Sequence, residues 1–200
     1  MFSSTNDDVF MLWQNEPTVV IGKNQNAFAE INMDYIKKNN IHIARRITGG
    51  GAVYHDLGNV NYTFISNQGE TAGIDFAYFT APIIEALGTL GINAVLSGRN
   101  DLMIGDKKFS GNAQHTKANR VLHHGTLLFD SELDILSYAL NVDEEKIKAK
   151  AIKSARSRVT NLRHSLTVDI TVEQFIQTIA HFVIDKYNPK IIAPDRKSVV

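Results

Sequence analysis

The chain contains no cysteine. Disulfide frameworks, thiolate metal sites and cysteine nucleophiles are therefore excluded from these residues. It also lacks an excess of either charge: Lys and Arg total 21, Asp and Glu total 21, and the formal net charge is zero. Without a basic surplus nothing points to nucleic acid, and no acidic block marks a disordered tail. A local basic site remains compatible with neutrality, because net charge averages over faces. No run reaches the ~18 consecutive apolar residues of a membrane span. The opening Met1-Phe2-Ser3-Ser4-Thr5-Asn6-Asp7-Asp8 has neither the basic nor the apolar region of a secretory signal. Repeats, low-complexity tracts and internal linkers are missing as well. What remains is a 200-residue chain that is 44% hydrophobic, enough for one domain with its own core. The expectation is a soluble, cytoplasmic protein with no membrane and no nucleic-acid partner.

The most informative stretch is Arg45-Arg46-Ile47-Thr48-Gly49-Gly50-Gly51-Ala52-Val53-Tyr54-His55-Asp56. Two arginines end a β-branched run, three glycines follow, and a second strand-like run leads to a turn at Asp56-Leu57-Gly58-Asn59. Glycine can take positive φ and admit a group close to the main chain, and consecutive N–H groups can then point at anionic oxygens. The arginines add planar donor forks suited to carboxylate or phosphate. The segment reads as a strand–loop–strand built to hold an anion. Taken alone, it reads more readily as a glycine-rich hairpin with solvated arginines. It is not a standard phosphate loop, since it lacks both the Gly-x-x-x-x-Gly-Lys-Ser/Thr pattern and the Gly-x-Gly-x-x-Gly spacing.

A second segment runs from Ser97-Gly98-Arg99-Asn100-Asp101-Leu102-Met103-Ile104 through Gly105-Asp106 to Lys107-Lys108-Phe109-Ser110-Gly111-Asn112-Ala113. It predicts two short strands joined at a Gly-Asp turn. In extended chain Lys107 and Lys108 point to opposite faces. Lys108, beside Phe109 and the small Ser110 and Gly111, is the better inward candidate.

Elsewhere the pattern predicts strands at Val9–Trp13, Thr18–Ile21, Ile41–Arg45, Ala52–His55, Val60–Ile65, Ala94–Leu96 and Val121–Phe129, with a hairpin at Met103–Phe109. Helices are expected from about Asn32 to Lys38, from Asp75 to Leu90, after a Ser131-x-x-Asp134 capping box as far as Leu140, from Glu144 to Lys150, and after Thr171-x-x-Gln174. The clearest is the second, whose Phe76, Phe79, Ile83, Leu87 and Leu90 form one stripe that stops at Gly91. The last carries Phe175, Ile176, Ile179, Phe182 and Val183 on its apolar face. The fold class is α+β: a mixed, mostly antiparallel sheet covered by helices.

Together, Arg45-Arg46-x-x-Gly-Gly-Gly-Ala-Val-Tyr-His-Asp-x-Gly-Asn59, Gly98-Arg99-Asn100-Asp101-Leu102, Lys108-Phe109-Ser110-Gly111-Asn112-Ala113, His123-His124-Gly125-Thr126-Leu127 and Ser157-Arg158-Val159-Thr160-Asn161-Leu162 resemble the lipoate–protein ligases. The resemblance runs from about Leu12 to about Tyr187. It implies the biotin/lipoate ligase fold and one catalytic domain over residues 1–200. The family's usual amino-terminal strand–helix segment and carboxy-terminal accessory domain have no counterpart here, so the expectation is a domain truncated at both ends.

The implied activity joins a carboxylate to a lysine amine, which is uphill in water. It becomes feasible through an acyl-adenylate made from ATP. Such a site needs cations for the carboxylate and α-phosphate, donors for the leaving groups, and an apolar slot for the acyl chain. Arg45, Arg46 and Lys108 suit the first need, the backbone of Gly49–Ala52 the second, and residues such as Val53, Ile65 and Phe109 the third. The resemblance implies that Arg46, Gly51, Ala52, Val53, Tyr54 and Lys108 contact the nucleotide. It implies that Arg45, Arg46, Gly49, Gly50, Gly51 and Lys108 contact lipoate, with Lys108 the catalytic cation between lipoate and the α-phosphate. Ser154–Val159 resembles part of a loop that covers the adenylate.

Secondary candidates in the same motifs are His55, Asn61, Asp101, Ser110, Gly111 and His124. A structural role is the default for each histidine, and since His123 and His124 alternate faces, at most one meets the site. Asp101 suits either Mg²⁺ on the triphosphate or a turn, so metal ligands stay unassigned. The implied substrates are ATP with Mg²⁺ and lipoate. The implied acceptors are lipoyl domains of 2-oxoacid dehydrogenase complexes and the glycine cleavage H protein. A related transferase that works through a cysteine acyl-enzyme is excluded by composition. The arginine–glycine segment resembles the lipoate type better than biotin ligases. The alternative is a truncated, non-catalytic module that binds lipoate or its adenylate.

Overall fold

The computed structural model describes residues 7–67, 75–117, 119–140 and 159–191. The expected helix from Glu144 to Lys150, the Ser154–Arg158 stretch and the closing residues after Ile191 lie outside the described residues.

Two sheets organise the chain. The larger holds six strands: β1 (Val9–Trp13), β5 (Asn59–Asn67), β6 (Val95–Ser97), β7 (Asp101–Ile104), β8 (Lys107–Lys117) and β9 (Arg120–Leu128). Their order is β1-β5-β9-β8-β7-β6, and every neighbouring pair is antiparallel. The smaller sheet has the order β3-β2-β4, from β2 (Thr18–Ile21), β3 (His42–Arg45) and β4 (Val53–His55). There β2 runs parallel to β3 and antiparallel to β4. The α+β class holds, with the expected single sheet resolved into two.

Each sheet has its own core on its outer face. Helices α3 (Phe76–Thr89) and α5 (Val172–Tyr187) cover the large sheet, packing Ile83, Leu87, Phe175 and Ile179 onto Val60, Leu102, Phe109, Leu127 and Phe129. The α3 stripe is buried as its three- and four-residue spacing predicts, and Leu90 sits partly buried at its end. Asp75 caps this helix by accepting from the Tyr78 N–H at 2.9 Å. The α5 capping box forms in both directions between Thr171 and Gln174. Short helices α1 (Ala27–Glu30), α2 (Met33–Lys38) and α4 (Ile135–Ala139) close the second core around Val19, Ile21, Ile31, Ile36 and Ala139. No helix among the described residues is long and apolar enough to cross a membrane.

Three expectations need correction. Helix α1 is not anticipated by any strong periodicity, being a single turn opened by Asn26. Strand β8 continues to Lys117 rather than ending near Phe109, because β9 pairs with Asn112 through Lys117 along its length. The Ser131–Asp134 capping box does not form. Asp134 itself stands at the N-cap of α4 without a side-chain cap bond, and Asn161 engages the Ser131 backbone instead, accepting from its N–H at 3.1 Å and donating to its carbonyl at 2.9 Å.

The inner faces of the two sheets look at each other. Alternation along β9 sends Leu127 to the outer core and Leu122, His124 and Thr126 inward, while β2 sends Val19 and Ile21 outward and Val20 inward. The space between the sheets is the cleft described next.

Candidate functional site

The cleft encloses about 670 Å³. Its floor is a row of register partners on the large sheet, Met11, Thr63, His124 and Ala113, flanked by Trp13, Leu122 and Thr126. The opposite wall is Val20, Ala52, Val53 and His55 with the glycine loop. Phe76, Arg99, Asn100 and Gln114 close one end. Among the described residues, the lining includes Arg46, Arg99 and Lys108 and no Asp or Glu. Apolar surface and positive charge thus share one cavity.

The glycine loop is shaped by Arg46. Its guanidinium donates to the carbonyls of Val20 at 3.0 Å, Gly49 at 2.9 and 3.3 Å, and Gly51 at 2.7 Å. Gly50 takes φ +102, a conformation that L side chains rarely adopt, and an added methyl there would lie 2.8 Å from the guanidinium. Gly22, in the turn after β2, lets the loop come close, since an added methyl would overlap the Gly50 carbonyl. Burial pushes the Arg46 pKa below its ordinary value. Neutral carbonyls satisfy its donors but leave its charge uncompensated, and no carboxylate among the described residues pairs with it. The loop therefore presents a half-buried positive charge to the cleft.

Lys108 reaches the cleft through a β-bulge. In the β7–β8 ladder Leu102 pairs with Ser110 and Met103 with Lys108, so Phe109 is the extra residue. The bulge shifts the parity of β8. Phe109 turns into the outer core while Lys108 joins Gly111 and Ala113 on the inner side. Lys108 Nζ lies 2.7 Å from Asp101 Oδ1, over Gly111, where an added methyl would meet Nζ at 3.1 Å. Lys107 is exposed.

The cleft histidines are neutral. Burial, then the nearby charges of His124 and Arg46, lower the His55 pKa to about 4. Burial and Arg46 lower that of His124 to about 4. His124 Nε2 shares a 2.7 Å hydrogen bond with Thr48 Oγ1, tying the glycine loop to the floor. The Asn15 amide donates to His55 Nδ1 at 3.0 Å, which leaves the proton on Nε2, a buried donor with no partner among the described residues. His123 points the other way, stacked on Phe79 at 5.1 Å, with its pKa lowered to about 3 by burial and then by His124.

The structure thus brings Arg46, Gly49, Gly50, Gly51, Ala52, Val53, His55, Lys108, Gly111 and His124 around one cavity, with Asp101 behind Lys108. Other expected side chains go elsewhere. Arg45 is exposed and donates to the carbonyls of Gly22, Lys23 and Gln25. Tyr54 alternates away from Val53 onto the second core, and burial, Asp56, Glu132 and Tyr35 push its pKa up to about 12. Asn61 is buried between its register partners Trp13 and Thr126. Ser110 is fully buried, accepting from Asn112 Nδ2 at 3.3 Å. Of the proposed slot residues, Val53 lines the cleft, while Ile65 and Phe109 are buried away from it. Met11, Trp13, Val20, Ile47, Phe76 and Leu122 supply the apolar lining instead. For β9 the alternation around His124 was a readable signal. The all-apolar run of β1 carries none.

A family model described as the lipoyl protein ligase A/B catalytic domain matches residues 1–183. The chain is 46% identical over 173 residues to lipoate–protein ligase 1 of Staphylococcus aureus, covering 86% of this chain and 53% of that protein. It is 48% identical over 165 residues to lipoate-protein ligase LplJ of Bacillus subtilis, covering 82% of this chain and 50% of that protein. The chain therefore spans about half the length of these curated relatives. Among solved structures it is similar to a bipartite lipoate protein ligase from Thermoplasma acidophilum, described with its E2 lipoyl domain (TM-score 0.80, 31% identity, 94% of this chain, 74% of that chain). It is also similar to P. falciparum LipL1 in complex with lipoate (TM-score 0.77, 36% identity, 94% and 53%), and to a lipoate-protein ligase A bound with ATP (TM-score 0.73, 28% identity, 94% and 75%).

Proposed function

The chain belongs to the lipoyl protein ligase A/B catalytic-domain family, and from that premise we propose that it is the catalytic unit of an ATP-dependent lipoate–protein ligase. One observation carries the reading: a single cleft joins an apolar lining to the cations Arg46, Arg99 and Lys108, and no Asp or Glu is among the described residues that line it. That is what a fatty carboxylate and a polyphosphate require together. The relatives named above, among them structures with lipoate and with ATP, support the same pair of substrates.

In the first step a lipoate carboxylate oxygen attacks the α-phosphorus of ATP. The bond from that phosphorus to the bridging oxygen breaks, and pyrophosphate leaves with the electron pair. Lys108 is the cation for the charge that builds between carboxylate and α-phosphate, and Asp101 holds its ammonium in place. Arg46, Gly51, Ala52 and Val53 form the nucleotide side, with Arg46, Gly49 and Gly50 shared with lipoate. His55 and His124, neutral, are donors or acceptors rather than cations. Trp13, Met11 and Leu122 take the acyl chain and exclude water from the mixed anhydride. In the second step a lysine amine attacks the acyl carbon, the bond to AMP breaks, and the amine loses a proton as the amide forms.

Among the described residues no group of three or more His, Asp or Glu is placed to hold an ion. Magnesium is assigned in this reading to the triphosphate substrate and not to a resident protein site. The acceptor is a lipoyl domain, of the kind described with the Thermoplasma ligase. Acceptors from 2-oxoacid dehydrogenase complexes and the glycine cleavage H protein are those to test. Folded protein incubated with Mg²⁺–ATP, lipoate and such a domain should add one lipoyl mass to the acceptor, dependent on both small substrates. Absence of both lipoyl-AMP and acceptor modification would overturn the proposal. Lipoate binding without turnover would instead favour a non-catalytic module.

A further inference from the structure

At the cleft floor a buried polar chain crosses three strands, from Tyr62 beneath the floor to Asn112 in the cleft lining. Tyr62 on β5, Gly125 on β9 and Asn112 on β8 are mutual register partners. Gly125 has no side chain, so the Tyr62 ring lies across it and the phenol donates directly to Asn112 Oδ1. An added methyl at Gly125 would run into that oxygen and come within 2.7 Å of the ring. Tyr62 is fully buried and Asn112 nearly so. A tyrosine hydroxyl reaching past one strand to the next is costly to bury unless satisfied, and here it donates to Asn112 Oδ1 and is also hydrogen-bonded with Ser110.

The other atoms of Asn112 hold a turn. Its Nδ2 donates to the Asn100 carbonyl at 3.0 Å and its backbone N–H to the same oxygen at 2.9 Å. In return Asn100 Nδ2 donates to the Asn112 carbonyl at 2.6 Å. With Oδ1 committed to Tyr62, the Asn112 amide cannot flip without losing both bonds. Asn100 stands between Arg99, which lines the cleft, and Asp101, which pairs with Lys108. Next to Asn112 is Gly111, the residue beneath Lys108 Nζ.

We propose that Tyr62 and Asn112 are positioning residues for the Lys108–Asp101 pair, fixing the Arg99-Asn100-Asp101 turn against β8 so that the ammonium stands at one place in the cleft. Tyr62 does not line the cleft, so its effect travels through Asn112 and Asn100, which is why its substitution carries the test. The inference rests on the ligase reading above, and adenylation by the unaltered protein tests that reading separately.

The experiment is a double-mutant cycle on lipoate-dependent pyrophosphate release. Tyr62→Phe keeps the ring and removes the hydroxyl. It is expected to lower kcat roughly tenfold, with the KM values for lipoate and ATP changed less than about twofold. In an Asp101→Asn background, where Lys108 has already lost its anchor, the same substitution should cost less than about twofold. A general loss of structure would cost the same in both backgrounds. If Tyr62→Phe does not fold, Asn112→Ser asks the same question by releasing Asn100. Equal costs in both backgrounds, or an unchanged kcat in folded Tyr62→Phe, would overturn the inference. An unaltered protein that makes no lipoyl-AMP would sink the ligase reading instead.

Discussion

At the scale of single residues, adjacent lysines meet different fates because one residue is inserted between two hydrogen-bonded neighbours. The bulge at Phe109 lets that ring enter the core and returns Lys108 to the inner face, while Lys107 stays in solvent. Lys108→Ala should therefore lower lipoate-dependent pyrophosphate release on the order of 10²-fold or more, the typical worth of a fixed cation at developing charge. Lys107→Ala should stay within about twofold by the same argument. Comparable losses from both would show that charge alone, not placement, matters. The glycines also divide. Gly50 has φ +102 and faces the Arg46 guanidinium, whereas nothing lies within 4 Å of a methyl added at Gly49. Gly50→Ala should weaken lipoate and ATP binding several-fold more than Gly49→Ala, since it both strains the loop and displaces Arg46. Isothermal titration of the two variants, with melting curves to normalise for folded protein, decides it. A Gly50→Ala protein that melts early but binds normally would make the glycine purely structural.

At the scale of elements, helix ends and helix stripes are legible where one local rule acts alone. Thr171 and Gln174 form the capping box that their spacing announces. Thr171→Ala should cost about 1 kcal/mol of stability, read as a lower urea midpoint with adenylation per folded molecule unchanged. A loss of activity without loss of stability would mean that this helix end serves the site. Ser131 has similar spacing to Asp134, yet its backbone is claimed by Asn161, thirty positions along the chain. A long-range partner overrode the local signal there. Strands follow the same division. The inner face of β9 can be read from Leu122, His124 and Thr126 because polar and apolar residues alternate. In β1, Phe10 and Leu12 pack on the core while Met11 and Trp13 line the cleft, and hydrophobicity does not separate them. The loop arginines were legible as a charged pair. Their division of labour was not, because it depends on where the carbonyls of Val20 and Gly22 lie after β2 has paired with β3. The face taken by Lys108 was read correctly from the smallness of its neighbours. The opposite faces expected for Lys107 and Lys108 are also found, because the bulge lies beyond them at Phe109 and leaves their own alternation intact.

At the scale of the whole molecule, two cores sit on the outer faces of two sheets, and the polar residues needed by the cleft are buried between them. Burial holds three histidines neutral, His55 and His124 at the cleft and His123 in the outer core behind it, with pKa values of about 4, 4 and 3. An unfolded imidazole takes its proton near pH 6.5, so below that pH the unfolded chain binds more protons than the folded one. Stability is then fully present above about pH 6.5 and falls as the pH drops toward 4, by up to roughly 1.4 kcal/mol per pH unit for each histidine. Urea unfolding at pH 7.5, 6 and 5 should show this decline. His123→Phe should reduce its slope, because the replaced ring sits among Phe76, Phe79 and Tyr62. An identical slope in that variant would locate the sensitivity elsewhere. The missing carboxylates of the cleft wall have a consequence of their own. Among the described residues lining the cavity, Arg46 and Arg99 face no carboxylate and Lys108 is countered by Asp101, so its field disfavours an incoming ammonium, the form an acceptor lysine of the proposed reaction has at neutral pH. Under the proposed ligase reading, the phosphate of an adenylate would lower that field and let the amine enter and shed its proton. The same charge that gathers the ingredients would then keep a premature visitor from an activated acyl group.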